Sequence, residues 1–460
     1  MKKEDLRDNI TFQKSKGKVL SPDASIEYPL AVRGEGVYIL GGDGKRYLDG
    51  SSGAYVSNIG HAIPEIAEAI YEQCRKLEFT HRTQFITEPF LEMTEFLAEI
   101  APGDLKAVYF TSSGSESNEA AIKVARRFHI LSGNAEKHVM LSRWLSYHGN
   151  TLGAQSLSGI TRLRDEDFPL LHDWPQVEPC YCFRCPFDKH YPDCNIQCAY
   201  DLEHKILKIG PKYVAAFFVE PIVGSSCPGA VPPPEYFKII REICDKYNIL
   251  LVADEVITSF GRIGKYFGVE HWKLIPDIIT VGKGTSCGYS PLGAMIFSER
   301  IYQTLIDQSG QFGTGHTLNF NPLSIATGIA VQKYIRHHDL VNKANLLGDY
   351  LFSKLKELSQ KHFIIGDLRG KGLLAGLEFV KQRNKMEPFP AEVAIGKKIA
   401  EAAMREGLVV YPSRNGYKNK TLDFLSVAPP LIITEQQIDE LITKLDTAIS
   451  KVQRSNITLQ

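Results

Sequence analysis

A mostly parallel α/β sheet with helices on both faces, followed by a small α+β domain, is the fold this sequence predicts, and three observations predict it. Between about residues 105 and 300, short apolar runs alternate with longer amphipathic segments, the pattern of parallel strands joined by helices. After about residue 320 the pattern changes to long helical periodicities that lead into further strand-like runs. At 460 residues and 43% apolar content, the chain is too long for one ordinary core and has the material to fill a second. The expected division is an N-terminal arm and hairpin at 1–60 that joins the small domain, a large domain at 61–325, and a C-terminal small domain at 326–460.

Taken in order, residues 37–40 and 46–48 flank Gly41-Gly-Asp-Gly44, and Asp-Gly favours a tight hairpin turn. A small-residue loop from Gly53 to His61 follows, in which Tyr55 serves either as a pocket wall or as core packing. A helical pattern runs over 64–76. The strands of the large sheet are read at 107–110, 139–141, 214–219, 249–252 and 278–281, and ligands of such sheets sit beyond the carboxyl ends of the strands. Helical patterns at 322–337 and 340–360, strand-like runs at 373–380, 408–411 and 424–427, and helices at about 391–405 and 435–452 make the last domain. Thr434 and Gln437 have the spacing of a capping pair for the final helix.

Charge excludes some functions. Lys plus Arg equals Asp plus Glu at 53 each, so no net field recommends nucleic acid or an anionic membrane as partner. Acids follow the first residues at once, no apolar leader is present, and no run of about 18 apolar residues occurs. A soluble cytoplasmic protein is expected.

The polar constellations fall where strands end. The run at 278–281 stops at Lys283, held between Gly282 and Gly284. Glycine on both sides allows a tight turn and leaves the amine room to react, and desolvation of such an amine favours its neutral, nucleophilic form. Ser113, Gly114 and Ser115 open a helix whose apolar stripe is Ala121, Val124, Ala125 and Phe128. That start suits either a phosphate or plain capping, since Ser113 and Glu116 have capping-box spacing. Tyr147 and His148 follow another strand. Glu220 ends the run at 215–219, and Asp254 ends the run at 249–253, with Val256 close behind to cover a ring. Together, a lysine, an acid at a neighbouring strand end, a phosphate-ready helix start and an aromatic describe a site for pyridoxal 5′-phosphate. The lysine meets the aldehyde, Asp254 keeps the pyridine nitrogen protonated, Ser-Gly-Ser takes the phosphate and Tyr147 the ring face.

With these residues, and with Phe260-Gly-Arg262, Pro291-Leu-Gly-Ala294 and Ala428-Pro-Pro-Leu431 in order along the chain, the sequence resembles the class III aminotransferases of fold type I. The resemblance implies that Lys283 bonds the cofactor and moves the substrate proton, that Asp254 pairs with the pyridinium, and that Val256 and Tyr147 cover the two ring faces. Gly114 and Ser115 would hold the phosphate, with Ser113, His148 and Glu220 beside them. Thr317, in Gly313-Thr-Gly-His-Thr317, would reach the phosphate of another subunit, which implies a homodimer with shared sites, or a tetramer built from it.

Tyr55, Phe85 and Arg414 form the candidate substrate set. Family members that act on ornithine or 4-aminobutyrate carry a glutamate and an arginine where this chain has Ser225 and Ser426, so the resemblance points to a small monocarboxylate acceptor, pyruvate first, with an amine or ω-amino acid as donor. Aminomutases, racemases and dialkylglycine decarboxylases share the scaffold and stay open, as does a regulatory protein that binds the cofactor and senses redox state or metal.

Nine cysteines are present, five of them between Cys180 and Cys198. Cys182, Cys185, Cys194 and Cys198 follow a C-x2-C-x8-C-x3-C spacing in an insertion at about 178–200, enough thiolates for a tetrahedral zinc or an iron-sulfur cluster. Cys180 looks like a spare. Packing of small, reduced thiols is the alternative.

Overall fold

The structure is a computed structural model that describes Leu20, Asp23, Ile26 and residues 28–457. Most of the expected N-terminal arm therefore lies outside the described residues. Strands β1 (Ala31–Glu35), β2 (Tyr38–Gly41) and β3 (Arg46–Asp49) pair antiparallel, and Gly44 turns the β2–β3 hairpin at φ 79°.

The large sheet contains β4 (Leu105–Thr111), β5 (Val139–Arg143), β6 (Gln176–Val177), β7 (Val214–Val219), β8 (Leu250–Asp254), β9 (Ile278–Val281) and β10 (Gly293–Ser298), in the order β4-β10-β9-β8-β7-β5-β6. All run parallel except β10, which is antiparallel to both its neighbours. The sequence reading missed β10. The connection at 282–292 is too short for a parallel crossover, so the chain must reverse beside β9. Strands β7 and β8 are buried along their whole length, as strands covered on both faces must be. Alternate residues divide between two cores. Leu251 and Ala253 pack with the helices Gln197–Ile209 and Tyr236–Lys246, whereas Leu250 and Val252 pack with Gly114–Leu131 and Glu299–Ser309.

The C-terminal portion carries β11 (Ile365–Lys371), β12 (Leu374–Phe379), β13 (Leu408–Val409), β14 (Tyr411–Tyr417) and β15 (Lys420–Val427). Four of these form an antiparallel sheet in the order β11-β12-β15-β14, while β13 leaves it to pair in parallel with β3. The N-terminal hairpin is thus tied to the C-terminal portion by backbone hydrogen bonds. Strand β11 escaped the sequence reading because Ile365-Gly-Asp-Leu-Arg-Gly-Lys371 is polar, glycine-bearing and only half-buried at a sheet edge. The helix expected from about 391 begins at Ile395, because Ala394 takes a left-handed φ of 46° after a single 3-10 turn. The last helix starts as expected: the Thr434 N–H donates to Gln437 Oε1 at 2.9 Å, and the Gln437 N–H to Thr434 Oγ1 at 3.3 Å.

Candidate active site

Four parallel strands deliver their carboxyl ends to one place. β4 leads into Ser113, β7 into Glu220, β8 ends on Asp254 and β9 leads into Lys283. Ser113 caps the helix Gly114–Leu131, its hydroxyl accepting the Glu116 N–H at 3.2 Å, while Glu116 Oε2 accepts the Ser112 N–H at 2.8 Å. The first N–H groups of that helix lack intrahelical partners. They adjoin a cavity of about 390 Å³ lined by Ser113, Gly114, Ser115, Tyr147, His148, Glu220, Asp254, Val256 and Lys283. Close backbone approach shapes it. A Cβ on Gly282 would lie 3.0 Å from the Gly114 nitrogen, and a Cβ on Gly114 would lie 2.7 Å from a Val256 methyl.

Asp254 is held from behind. Its Oδ2 lies 2.7 Å from His148 Nδ1 and 2.8 Å from Asn118 Nδ2, and its Oδ1 accepts the Val256 N–H at 3.1 Å. Asn118 also donates to the His148 carbonyl at 2.7 Å and accepts from Thr280 Oγ1 at 2.8 Å. Sequence reading missed Asn118 as a site residue. Its signal was present: it stands one helical turn beyond Gly114 and so shares that face. Glu220 accepts the N–H groups of Tyr147 at 3.1 Å and Gly224 at 2.8 Å, and burial still raises its pKa. Burial lowers the Lys283 amine from its ordinary value, with Asp254 and Glu220 pulling the other way. The lysine sits at φ 38°, a left-handed conformation that aims it out of the strand direction.

These residues fit pyridoxal phosphate by their own chemistry. A buried carboxylate suits a pyridinium, a helix start with hydroxyls suits a phosphate, a desolvated amine suits an aldehyde, and the cavity these residues line leaves room for the group.

A second cavity of about 710 Å³ shares Lys283 and Tyr147 with the first and is lined farther out by Tyr55, Ser225, Tyr411, Arg414 and Asp423. Tyr55 is buried, donates its hydroxyl to Ser426 Oγ at 2.7 Å and packs on the Tyr411 ring 5.5 Å away, so the pocket-wall and packing alternatives both hold for it. Two expected site residues lie elsewhere. Thr317 is exposed and lines neither cavity, and Phe85, 68% exposed, is likewise outside the substrate cavity of its own chain.

The expected metal site at the cysteines is not supported. Cys182, Cys185, Cys194 and Cys198 do line one small hollow, but among the described residues no group of three or more His, Cys, Asp or Glu is arranged to hold a metal ion. Cys180, read as the spare, is buried and interacts with both Cys182 and Cys198, so it belongs to the cluster. Among the described residues, no helix is long and apolar enough to cross a membrane.

The comparisons agree with this geometry. The family model for aminotransferase class-III matches residues 22–449. The chain is 34% identical to a diaminobutyrate–2-oxoglutarate transaminase of Halomonas elongata, covering 91% of this chain and 89% of that one. It is also 34% identical to a putrescine–pyruvate aminotransferase of Pseudomonas aeruginosa, covering 90% and 89%. The crystal structure of a transaminase from the marine bacterium Virgibacillus superposes with a TM-score of 0.87 at 35% identity, over 93% of this chain and 94% of that one. The chain belongs to the class III aminotransferases.

Proposed function

We propose that this chain moves an amino group from an amine or ω-amino acid to a small 2-oxo acid, with pyruvate as the preferred acceptor. The observation that carries the reading is the convergence of Lys283, Asp254 and the start of the helix Gly114–Leu131 on one cavity, which shares Lys283 with a second. Pyridoxal phosphate, when bound, supplies the electron sink for bonds at the substrate's α carbon. Lys283, whose charged form burial disfavours, would bond the cofactor and then carry the proton at that carbon. Asp254, oriented by His148 and Asn118, would hold the pyridinium proton. The N–H groups of Gly114 and Ser115 and the Ser115 hydroxyl would bind the phosphate, and Tyr147 and Val256 would flank the ring.

The acceptor follows from the second cavity. Ser225 lines it, and Ser426 is buried against Tyr55, so neither position offers a charge to a second carboxylate, while Arg414 offers a guanidinium to one. The relatives named above use either acceptor, so this is a claim about these residues. Both of those relatives take donors with two amino groups, and a diamine therefore heads the donor list. A screen of diamines, ω-amino acids, taurine and simple amines against pyruvate, read as alanine formed, tests the reaction, and release of an isomerised or decarboxylated donor in place of alanine would assign a different chemistry. Pyruvate should exceed 2-oxoglutarate in kcat/KM. Comparable values would refute the acceptor assignment.

The working unit in this reading is a homodimer, because the exposed Thr317 and Phe85 serve a neighbouring chain's cavities when they do not serve their own. Sedimentation of a monomer at assay concentration would contradict it. The cysteine insertion stands apart from the chemistry. Iron, sulfide and zinc analysis of protein purified without oxygen tests it: about one equivalent per chain restores the metal expectation, and none leaves thiol packing.

A further inference from the structure

Arg414 and Asp423 stand directly opposite each other across β14 and β15, and both line the cavity that reaches Lys283. Their surroundings differ. Arg414 is exposed and donates Nη1 to the Ala391 carbonyl at 2.7 Å. Asp423 is only 3% exposed. Its Oδ1 sits near Gly396, at the start of the helix Ile395–Arg405, and its Oδ2 is buried with no hydrogen-bond partner among the described residues. One oxygen thus faces the start of that helix. The second, desolvated beside a guanidinium on the wall of a substrate cavity, has no structural partner to account for it.

We propose that Asp423 is a specificity-determining positioning residue, whose carboxylate competes with the carboxylate of a 2-oxo acid for the Arg414 guanidinium and so sets how strongly the cavity takes an anionic substrate relative to a neutral one. The proposal rests on the reading of Arg414 given above. An ionised Asp423 both repels an incoming carboxylate and attracts Arg414; a protonated one does neither. Burial pushes the Asp423 carboxyl up to about 6, against the pull of Arg414 and the Gly396 N–H. The group is therefore neutral below about 6 and charged above it, and preference for the anionic acceptor falls as pH rises through that value. Other charges share the cavity: Lys397, paired with Asp23 at 2.9 Å, together with Arg162 and Lys283. Each of these acts on the charge of pyruvate and not on a neutral aldehyde acceptor such as propanal, so the ratio of the two kcat/KM values reports the field of the whole cavity, and the Arg414 and Asp423 variants separate the share of that pair.

The experiment measures that ratio from about pH 5 to pH 8 in the holoenzyme and in Asp423→Asn, Asp423→Glu and Arg414→Ala. The wild-type ratio should fall several-fold as pH rises. Asp423→Asn should flatten the profile and stand roughly three- to tenfold above wild type at the alkaline end, the range expected from removing one partly screened charge. Asp423→Glu, which keeps the charge, should keep the fall. A flat wild-type profile overturns the proposal without any variant, so a misfolded substitution does not shelter it. If Arg414→Ala leaves the ratio unchanged, the reading of Arg414 has failed and this proposal falls with it. If Arg414→Ala lowers the ratio while Asp423→Asn leaves it at the wild-type value, only the role of Asp423 has failed.

Discussion

His148 Nδ1 lies 2.7 Å from Asp254 Oδ2 with both side chains buried, and Asn118 Nδ2 reaches the same oxygen at 2.8 Å. One oxygen of the carboxylate is therefore committed to the protein. The other accepts a single backbone N–H, from Val256, and keeps a lone pair for a group in the cavity. A fixed, pre-oriented anion of this kind acts without reorganising during reaction.

Replacing Asp254 by Asn keeps the shape and removes the charge. Turnover should fall by roughly 10²–10³, the usual cost of one electrostatic partner in a catalytic site. Steady-state kcat/KM with any accepted donor measures it. A variant near wild-type rate would make the acid a structural element.

Asn118→Ala strips partners from Asp254, the His148 carbonyl and Thr280 at once. Because those groups are buried, the variant should lose about 1–3 kcal/mol of stability in denaturant unfolding and bind cofactor more weakly. Loss of stability with unchanged cofactor affinity would show that Asn118 only braces the sheet.

These two residues also mark how far the sequence could be read. Asp254, Lys283 and Ser113 stand at the ends of buried apolar runs, where periodicity and a change of residue type announce a strand end, and the large sheet was legible for the same reason. Asn118 was not, since a polar residue inside a helix reads as solvated until the neighbouring strand closes over it. Strand β11 and the antiparallel β10 were hidden by glycine and by a motif whose residues invite a functional reading first. The hydrophobic pattern could not give the position of Phe85 either, because an exposed aromatic follows no period. For the four cysteines, spacing alone could not foresee that Cys180 would enter the cluster.

Lys283 should titrate below the ordinary lysine value of 10.5, since burial disfavours its charged form. A lowered pKa means that the neutral amine is present from lower pH upward. Competitive acetylation of the cofactor-free protein across pH, read by mass spectrometry, should give Lys283 an inflection below that of surface lysines. Glu220→Gln should move it lower still, because that carboxylate raises the pKa. An inflection at the surface-lysine value would contradict the desolvated geometry.

The most direct test of the account is the bond between this chain and its cofactor. Borohydride reduction of the purified holoenzyme, followed by peptide mass mapping, should fix one pyridoxyl group on Lys283. Lys283→Ala should show no such adduct and no amino transfer from any donor. A pyridoxyl group on another lysine, or a Lys283→Ala variant with normal turnover, would contradict the assignment of this cavity as the catalytic site.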